Sequence, residues 1–120
     1  MKLGFFYLPV ADLKEALALY RDTFGWPEAW REGETTAALQ LPGSEVQLML
    51  DQQDEAGRET YRPGPIFLVD SVAAFHAGPG DELRSRFGPT EIPGGFWSAF
   101  EDPSGNVIYV LDQSTDEAAG

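Results

Sequence analysis

Two stretches decide the fold: ALQLPGSEVQLMLDQ, residues 38–52, and AFEDPSGNVIYVLDQ, residues 99–113. Laid side by side without a gap, they match at Ala38 and Ala99, Pro42 and Pro103, Val46 and Val107, Leu50 and Leu111, Asp51 and Asp112, and Gln52 and Gln113. Each holds a turn signal, Pro42-Gly43 or Asp102-Pro103-Ser104-Gly105, between two strand-like runs. Further out, Val10-Ala11-Asp12-Leu13 parallels Val69-Asp70-Ser71-Val72, and Phe24-Gly25 parallels Phe87-Gly88. The same order of elements occurs twice, which marks a duplicated module.

The first copy starts with an apolar strand, Lys2 to Val10. Asp12 stands before an amphipathic stretch from Leu13 to Phe24, with Glu15 placed to complete a capping box. Leu13, Ala16, Leu17, Tyr20 and Phe24 form one apolar helix face, and Gly25 is the stop. Strands follow at Glu28 to Glu32, Thr35 to Leu41 and Glu45 to Asp51. The second copy reads as a strand at Ile66 to Val69 and a helix from Val72 to Phe87, broken around Gly78-Pro79-Gly80 and ended by Gly88. Strands at Thr90 to Ile92, Phe96 to Glu101 and Asn106 to Leu111 complete it. The expected division is residues 1–52 for the first βαβββ module, 53–65 for a polar linker, 66–113 for the second module and 114–120 for a flexible tail.

Composition removes several function classes. The chain has 20 acidic and 8 basic side chains, a net charge of −12, which repels nucleic acid and anionic lipid and suits a cationic ligand. With no cysteine, thiol nucleophiles, disulfides and zinc–thiolate sites are excluded. No apolar run has the length of a membrane span, and Leu3 to Leu8 is too short and strand-like for a signal peptide, so a cytoplasmic protein is expected. No serine lies in a Gly-x-Ser-x-Gly elbow, and there is no phosphate-binding glycine loop. His76, the single histidine, reads as a solvated or helix-end residue. Glu101, Asp102, Glu28, Glu32 and Glu34 read as edge charges rather than general acids or bases.

The stretch from Phe5 through Asp12-Leu13 to Tyr20 and Phe24-Gly25, together with Glu101-Asp102-Pro103-Ser104-Gly105-Asn106-Val107-Ile108-Tyr109, resembles the vicinal oxygen chelate superfamily of glyoxalases, extradiol dioxygenases and bleomycin-resistance proteins. The resemblance runs from Gly4 to Gln113 and implies an α+β fold: two βαβββ modules forming curved mixed sheets around a cleft, with helices on the outside. Family enzymes hold a divalent metal through residues on the first and last strands of each module. Those positions fall near Phe5, Leu48, Gly64 and Tyr109, none of them an ordinary first-row metal ligand. No metal and no other cofactor is therefore expected.

A tight turn at Asp102 to Gly105 would set Tyr109 opposite Ser98 and Val107 opposite Phe100, all on one face. The gapless repeat would put Ala37, Leu39, Val46 and Leu48 on the equivalent face, beside Phe5 and Tyr7 of the first strand. The expected ligand wall is thus Phe5, Tyr7, Leu39, Leu48, Trp97, Ser98, Phe100 and Tyr109, suited to a flat or amphipathic molecule, with Trp26 and Trp30 as further stacking surfaces. The resemblance implies a homodimer that sequesters a small aromatic or cationic organic molecule without catalysis. The alternative is a lyase, isomerase or dioxygenase-like enzyme with displaced or no metal ligands.

Overall fold

A computed structural model describes residues 1–115. The chain divides into two compact units, one of residues Gly4–Pro63 and the other of Gly64 onward with Met1–Leu3. Among the described residues no helix is long and apolar enough to cross a membrane.

The first βαβββ module consists of β1 (Lys2–Val10), α1 (Leu13–Leu17), β2 (Glu28–Glu32), β3 (Thr36–Gln40) and β4 (Gln47–Gln52), followed by a short helix α2 (Glu55–Thr60). Its strand order is β2-β3-β4-β1: the last strand returns to lie parallel to the first, and the other pairs are antiparallel. Asp12 caps α1 by accepting a hydrogen bond from the Glu15 amide at 3.0 Å. Leu13 and Leu17 pack against Ala37 and Leu39 of β3 and Leu48 and Leu50 of β4. Each leucine so buried contributes about 1.5–3 kcal/mol.

Helix α1 continues from Ala18 to Thr23 as a wider π-helical turn, with the Phe24 amide donating to the Leu19 carbonyl at 2.9 Å. Each such turn takes an extra residue and moves the following side chains around the axis. Phe24, expected on the buried helix face, is therefore half exposed and packs edge-on against Tyr20 and Trp26 instead. Gly25 ends the segment with φ +82°, as the stop signal requires.

The second module consists of β5 (Gly64–Leu68), α3 (Val72–Ala77), a 3-10 turn (Pro79–Glu82), β6 (Arg84–Ile92), β7 (Gly95–Glu101) and β8 (Val107–Leu111), in the order β5-β8-β7-β6. Strands β5 and β8 are parallel. Val72 and Phe75 pack on Phe100 and Val110. Two expectations need correction here. The helix does not run to Phe87: Gly78-Pro79-Gly80 stops it, and residues from Arg84 pair with β7 as a nine-residue strand with register shifts on either side of Phe87. The segment between the modules carries α2, capped by Asp54, whose side chain accepts from the Gly57 amide at 2.7 Å. Asp116 to Gly120, expected to be a frayed tail, lie outside the described residues.

Both modules fasten the last strand to the start of the helix in the same way. In the first, the Leu13 amide donates to Gln52 Oε1 at 2.9 Å; in the second, the Val72 amide donates to Asp112 Oδ2 at 2.7 Å. Asp112 also accepts from the Phe96 amide at 3.0 Å and from the amide and hydroxyl of Ser114. Burial alone would raise its pKa, but the bonds from Val72, Ser114 and Phe96 outweigh that and hold it below the ordinary carboxylate range. Gly95 permits the approach, since a Cβ there would collide with the Asp112 carbonyl.

Because its folded-state pKa is depressed, Asp112 contributes stability that is complete above the unfolded-state pKa and fades as pH falls through the lower folded value. Urea unfolding of Asp112→Asn should show a loss of about 1.5–3 kcal/mol at neutral pH. The gap to the parent protein should close below about pH 4. A gap that stays constant down to acid conditions would contradict this role.

Candidate functional site

Residues paired across a sheet share a face, so the ladders show which side chains α1 and α3 cover and which they leave. In the first module Phe5 pairs with Gln47, Tyr7 with Met49, Ala38 with Met49, and Thr36 with Asp51. Leu39 pairs with Leu48, and Ala37 with Leu50, on the face that packs under α1. In the second module Tyr109 pairs with Ala99 and Ile66, and Trp97 with Leu111, while Ser98 pairs with Val110 and Phe100 with Ile108 under α3.

Four of the expected wall residues are therefore elsewhere. Leu39, Leu48, Ser98 and Phe100 face the helices, whereas Phe5, Tyr7, Trp97 and Tyr109 face away from them. The cause is hairpin length. The turn after Glu101 reaches Val107 through residues 102–106, and Tyr109 meets Ala99, one position from the expected Ser98. The first hairpin spans residues 41–46 between Gln40 and Gln47, one residue more than the second. The gapless match of the two copies slips at that residue. Met49, not Leu48, corresponds to Tyr109, and Gln52, not Asp51, corresponds to Asp112, as the shared bonds to the helix amides also show. A slip of one residue exchanges the two faces of a strand.

Turned away from α1, the first module presents an aromatic pair and a polar network. Phe5 meets Trp30 edge-on at 5.9 Å, and Trp30 Nε1 donates to Gln47 Oε1 at 3.0 Å. At the other end of β4, Asp51 accepts from the Tyr7 hydroxyl at 2.5 Å, the Thr36 hydroxyl at 2.7 Å and Gln53 Nε2 at 2.9 Å. Neither Asp51 nor Gln47 was singled out from the sequence as a wall residue; the alternation of β4 would have found both had the register been right.

Turned away from α3, the second module carries a ring cluster. Trp97 stacks on Tyr109 with centroids 5.4 Å apart and planes 14° apart, and Phe87 packs against both, 5.0 Å from Trp97. Phe87, read as the end of a helix, joins this cluster because β6 is a strand. Glu101 is held by Arg86 at 3.1 Å and Arg84 at 3.7 Å, so it is a paired carboxylate. Asp102 shapes the hairpin: bonds from Asn106, Ser104 and Gly105 hold its pKa below the ordinary range, and the Asn106 side chain is the largest influence. Glu28 pairs with Arg31 and Arg21. Trp26 stacks on Tyr20 at the end of the α1 segment, away from both faces just described.

His76 is half buried rather than solvated. It lies in the last turn of α3 with Nε2 2.7 Å from the Ser98 hydroxyl, which is fully buried, and its ring lies 4.8 Å from that of Phe100. The pair is part of the core under α3.

The positions that the resemblance assigns to metal donors do not suit a divalent cation. Phe5 has no lone pair, and Met49, which replaces Leu48 once the register is corrected, offers a thioether that ranks behind nitrogen and oxygen donors for most divalent ions. Gly64 has no side chain, and a Cβ there would sit 2.5 Å from the Val107 carbonyl oxygen. Tyr109 is fully buried and stacked. Among the described residues no group of three or more His, Asp or Glu side chains is gathered to hold a metal.

Comparison with known proteins places this architecture. The model of the Glyoxalase/Bleomycin resistance protein/Dioxygenase superfamily matches residues 2–110, and the chain belongs to that superfamily. No curated protein matches it. Among solved structures, it is similar to an NAD-dependent benzaldehyde dehydrogenase from Legionella pneumophila (TM-score 0.75, 18% identity, 91% of this chain and 97% of that one). It is also similar to methylmalonyl-CoA epimerase of Streptomyces coelicolor (TM-score 0.70, 16% identity, covering 95% and 98%) and to that of Mycobacterium tuberculosis (TM-score 0.61, 20% identity, covering 99% and 92%). At these identities the likeness is one of fold.

The register makes a direct prediction. Leu48→Gln, which puts an amide under α1, should destabilise the protein by about 2–4 kcal/mol in thermal or urea unfolding, whereas Met49→Gln should cost less than about 1 kcal/mol. The reverse order would mean that β4 presents its other face to the helix.

Proposed function

We propose that the chain is a small-molecule binding protein of the glyoxalase and bleomycin-resistance type, one that holds an aromatic or cationic organic ligand without a metal. The observation that carries this reading is what stands on the sheet faces turned from the helices. Where the family resemblance calls for metal donors, there are aromatic rings: Phe5 with Trp30 in one module, and Trp97, Tyr109 and Phe87 in the other. Trp97, Phe87, Phe5 and Trp30 are each partly exposed, so ring surface remains for a ligand. Flat organic molecules bind such surfaces through stacking and release of water, and cations gain from the ring faces as well. The net charge of −12 favours cations over anions at long range.

In this reading the partly exposed rings carry the contact, Phe5 with Trp30 in the first module or Trp97 with Phe87 in the second, and the buried Tyr7 and Tyr109 support them from within the sheet. Leu39, Leu48, Ser98 and Phe100 support the sheet from behind. The proposal includes a homodimer, on the family resemblance, and a cytoplasmic location, on the cysteine-free acidic composition. Light scattering on the purified protein tests the first of these.

Titration of a panel of aromatic and amphipathic cations against the tryptophan fluorescence should give saturable binding that added zinc, nickel or manganese does not alter. Removing the ring that holds the ligand, Trp30→Ala in the first module or Trp97→Ala in the second, should weaken that binding about tenfold or more, consistent with the loss of an aromatic anchor. Absence of saturable binding across the panel, or binding that requires stoichiometric metal, would overturn the proposal, and the metal result would favour the enzymatic alternative.

A further inference from the structure

Asp51 occupies an unusual position. It lies on the β4 face turned from α1, half buried, and accepts three hydrogen bonds: from Tyr7, Thr36 and Gln53. Its donors are all neutral, and no ion pair is made to it among the described residues. By contrast, Glu28 and Glu101 each engage two arginines. Three donors fill three of the roughly four lone-pair sites of a carboxylate, which leaves one acceptor site open. Thr36 alone bonds to Oδ1, while Tyr7 and Gln53 share Oδ2, so the vacancy is on Oδ1.

The row that holds this carboxylate is polar, with Thr36 and Glu32 across the sheet, and the next row along β4 is apolar. Tyr7 and Ala38, beside Met49, are buried; Met49 and Trp30 are partly exposed. Trp30 pairs with Ala38, in the same row across the sheet as Met49. Its indole is oriented by Gln47 and supported on its side by Phe5. Asp51 lies two residues along β4 from Met49, about 6–7 Å from that row. The indole is thus held toward the Gln47 end of β4, Met49 continues the apolar surface from it, and one row beyond Met49 stands a fixed anionic acceptor.

We infer that Asp51 is the charge-recognising residue for the ligand, and that the ligand is an arylalkyl ammonium compound with its cation separated from its ring by a short alkyl arm. This rests on the small-molecule reading above and specifies the chemical class. The ring lies against Trp30 and Met49, and the ammonium donates to Asp51 Oδ1. The neutral bonds from Tyr7, Thr36 and Gln53 hold the carboxylate in position, so little side-chain entropy is lost when the cation arrives. A neutral isostere would find the same platform and could donate a hydroxyl to Oδ1, but without the attraction between opposite charges.

The test compares phenylpropylamine with phenylpropanol by calorimetry on the full chain, and then repeats the pair on Asp51→Asn. The amine should bind at least about tenfold more tightly than the alcohol, and Asp51→Asn should abolish that preference, weakening the amine far more than the alcohol. Amide and side-chain NMR shifts in the parent protein should move at Trp30, Thr36, Met49 and Asp51 on addition of the amine. That measurement stands even if the variant fails to fold. Equal affinity for amine and alcohol, shifts centred elsewhere, or an amine preference that survives in a folded Asp51→Asn would overturn the assignment and leave the small-molecule reading intact. So would failure of both compounds while other aromatic compounds bind. Absence of binding by any compound would end both.

Discussion

Alternation along a strand is the constraint on which everything else depends. Each module has one sheet and one principal helix, and the helix covers one face of the sheet. A side chain on a strand therefore lies either under the helix or on the face turned from it, and its register decides between them. Leu39, Leu48 and Leu50 belong to the core because their ladder positions put them under α1. Phe5, Tyr7, Met49 and Asp51 are on the opposite face for the same reason. The chemistry open to the protein is set by four-stranded geometry before any individual residue is considered.

Two features hold that register. Burial is the larger, since moving β4 by one residue would expose Leu48 and Leu50 and bury Gln47, Met49 and Asp51 under a helix, at a cost of several kcal/mol. The other is directional: the oxygen of Gln52 or Asp112 accepts from the first amide of α1 or α3, which fastens the end of the last strand to the start of the helix. The two modules use different residues for this. Gln52 is neutral and partners one amide, whereas Asp112 is charged and buried, and gathers donors from three backbone positions and a hydroxyl. The second module thus has a stronger and acid-sensitive version of the same bond.

The duplication and the βαβββ order were legible in the sequence because turn signals, helix caps and apolar runs are local and recur in both halves. Asp12, Gly25 and the Asp102 turn all act as their chemistry requires. What was not legible depended on single-residue counting or on tertiary context. The extra residue in the first hairpin is hidden by chance matches at Leu50, Asp51 and Gln52, which favour the wrong gapless pairing. Strand β6, RSRFGPTEI, contains Gly88-Pro89 and little alternation, so only its pairing to β7 reveals it. Helix α2 is short and polar, with no apolar stripe to mark it. The open face was half legible: Phe5, Tyr7, Trp97 and Tyr109 could be found, but Gln47, Asp51 and Phe87 required the register.

On the proposed reading, rings such as Phe5 and Tyr109, standing where the family resemblance calls for metal donors, change what the scaffold can do with a ligand. A divalent ion binds oxygen donors strongly and polarises them, so a site built around one favours chelating anions. Ring faces and carboxylates favour cations instead. In the second module Trp97, stacked on the buried Tyr109, is partly exposed and presents a ring face with negative charge density; in the first, Asp51 presents a carboxylate. Neither feature would stabilise a developing oxyanion, and both would repel one. On the proposed small-molecule reading, the fold of the superfamily is therefore kept while recognition rests on ring faces and carboxylates, which favour cations over anions.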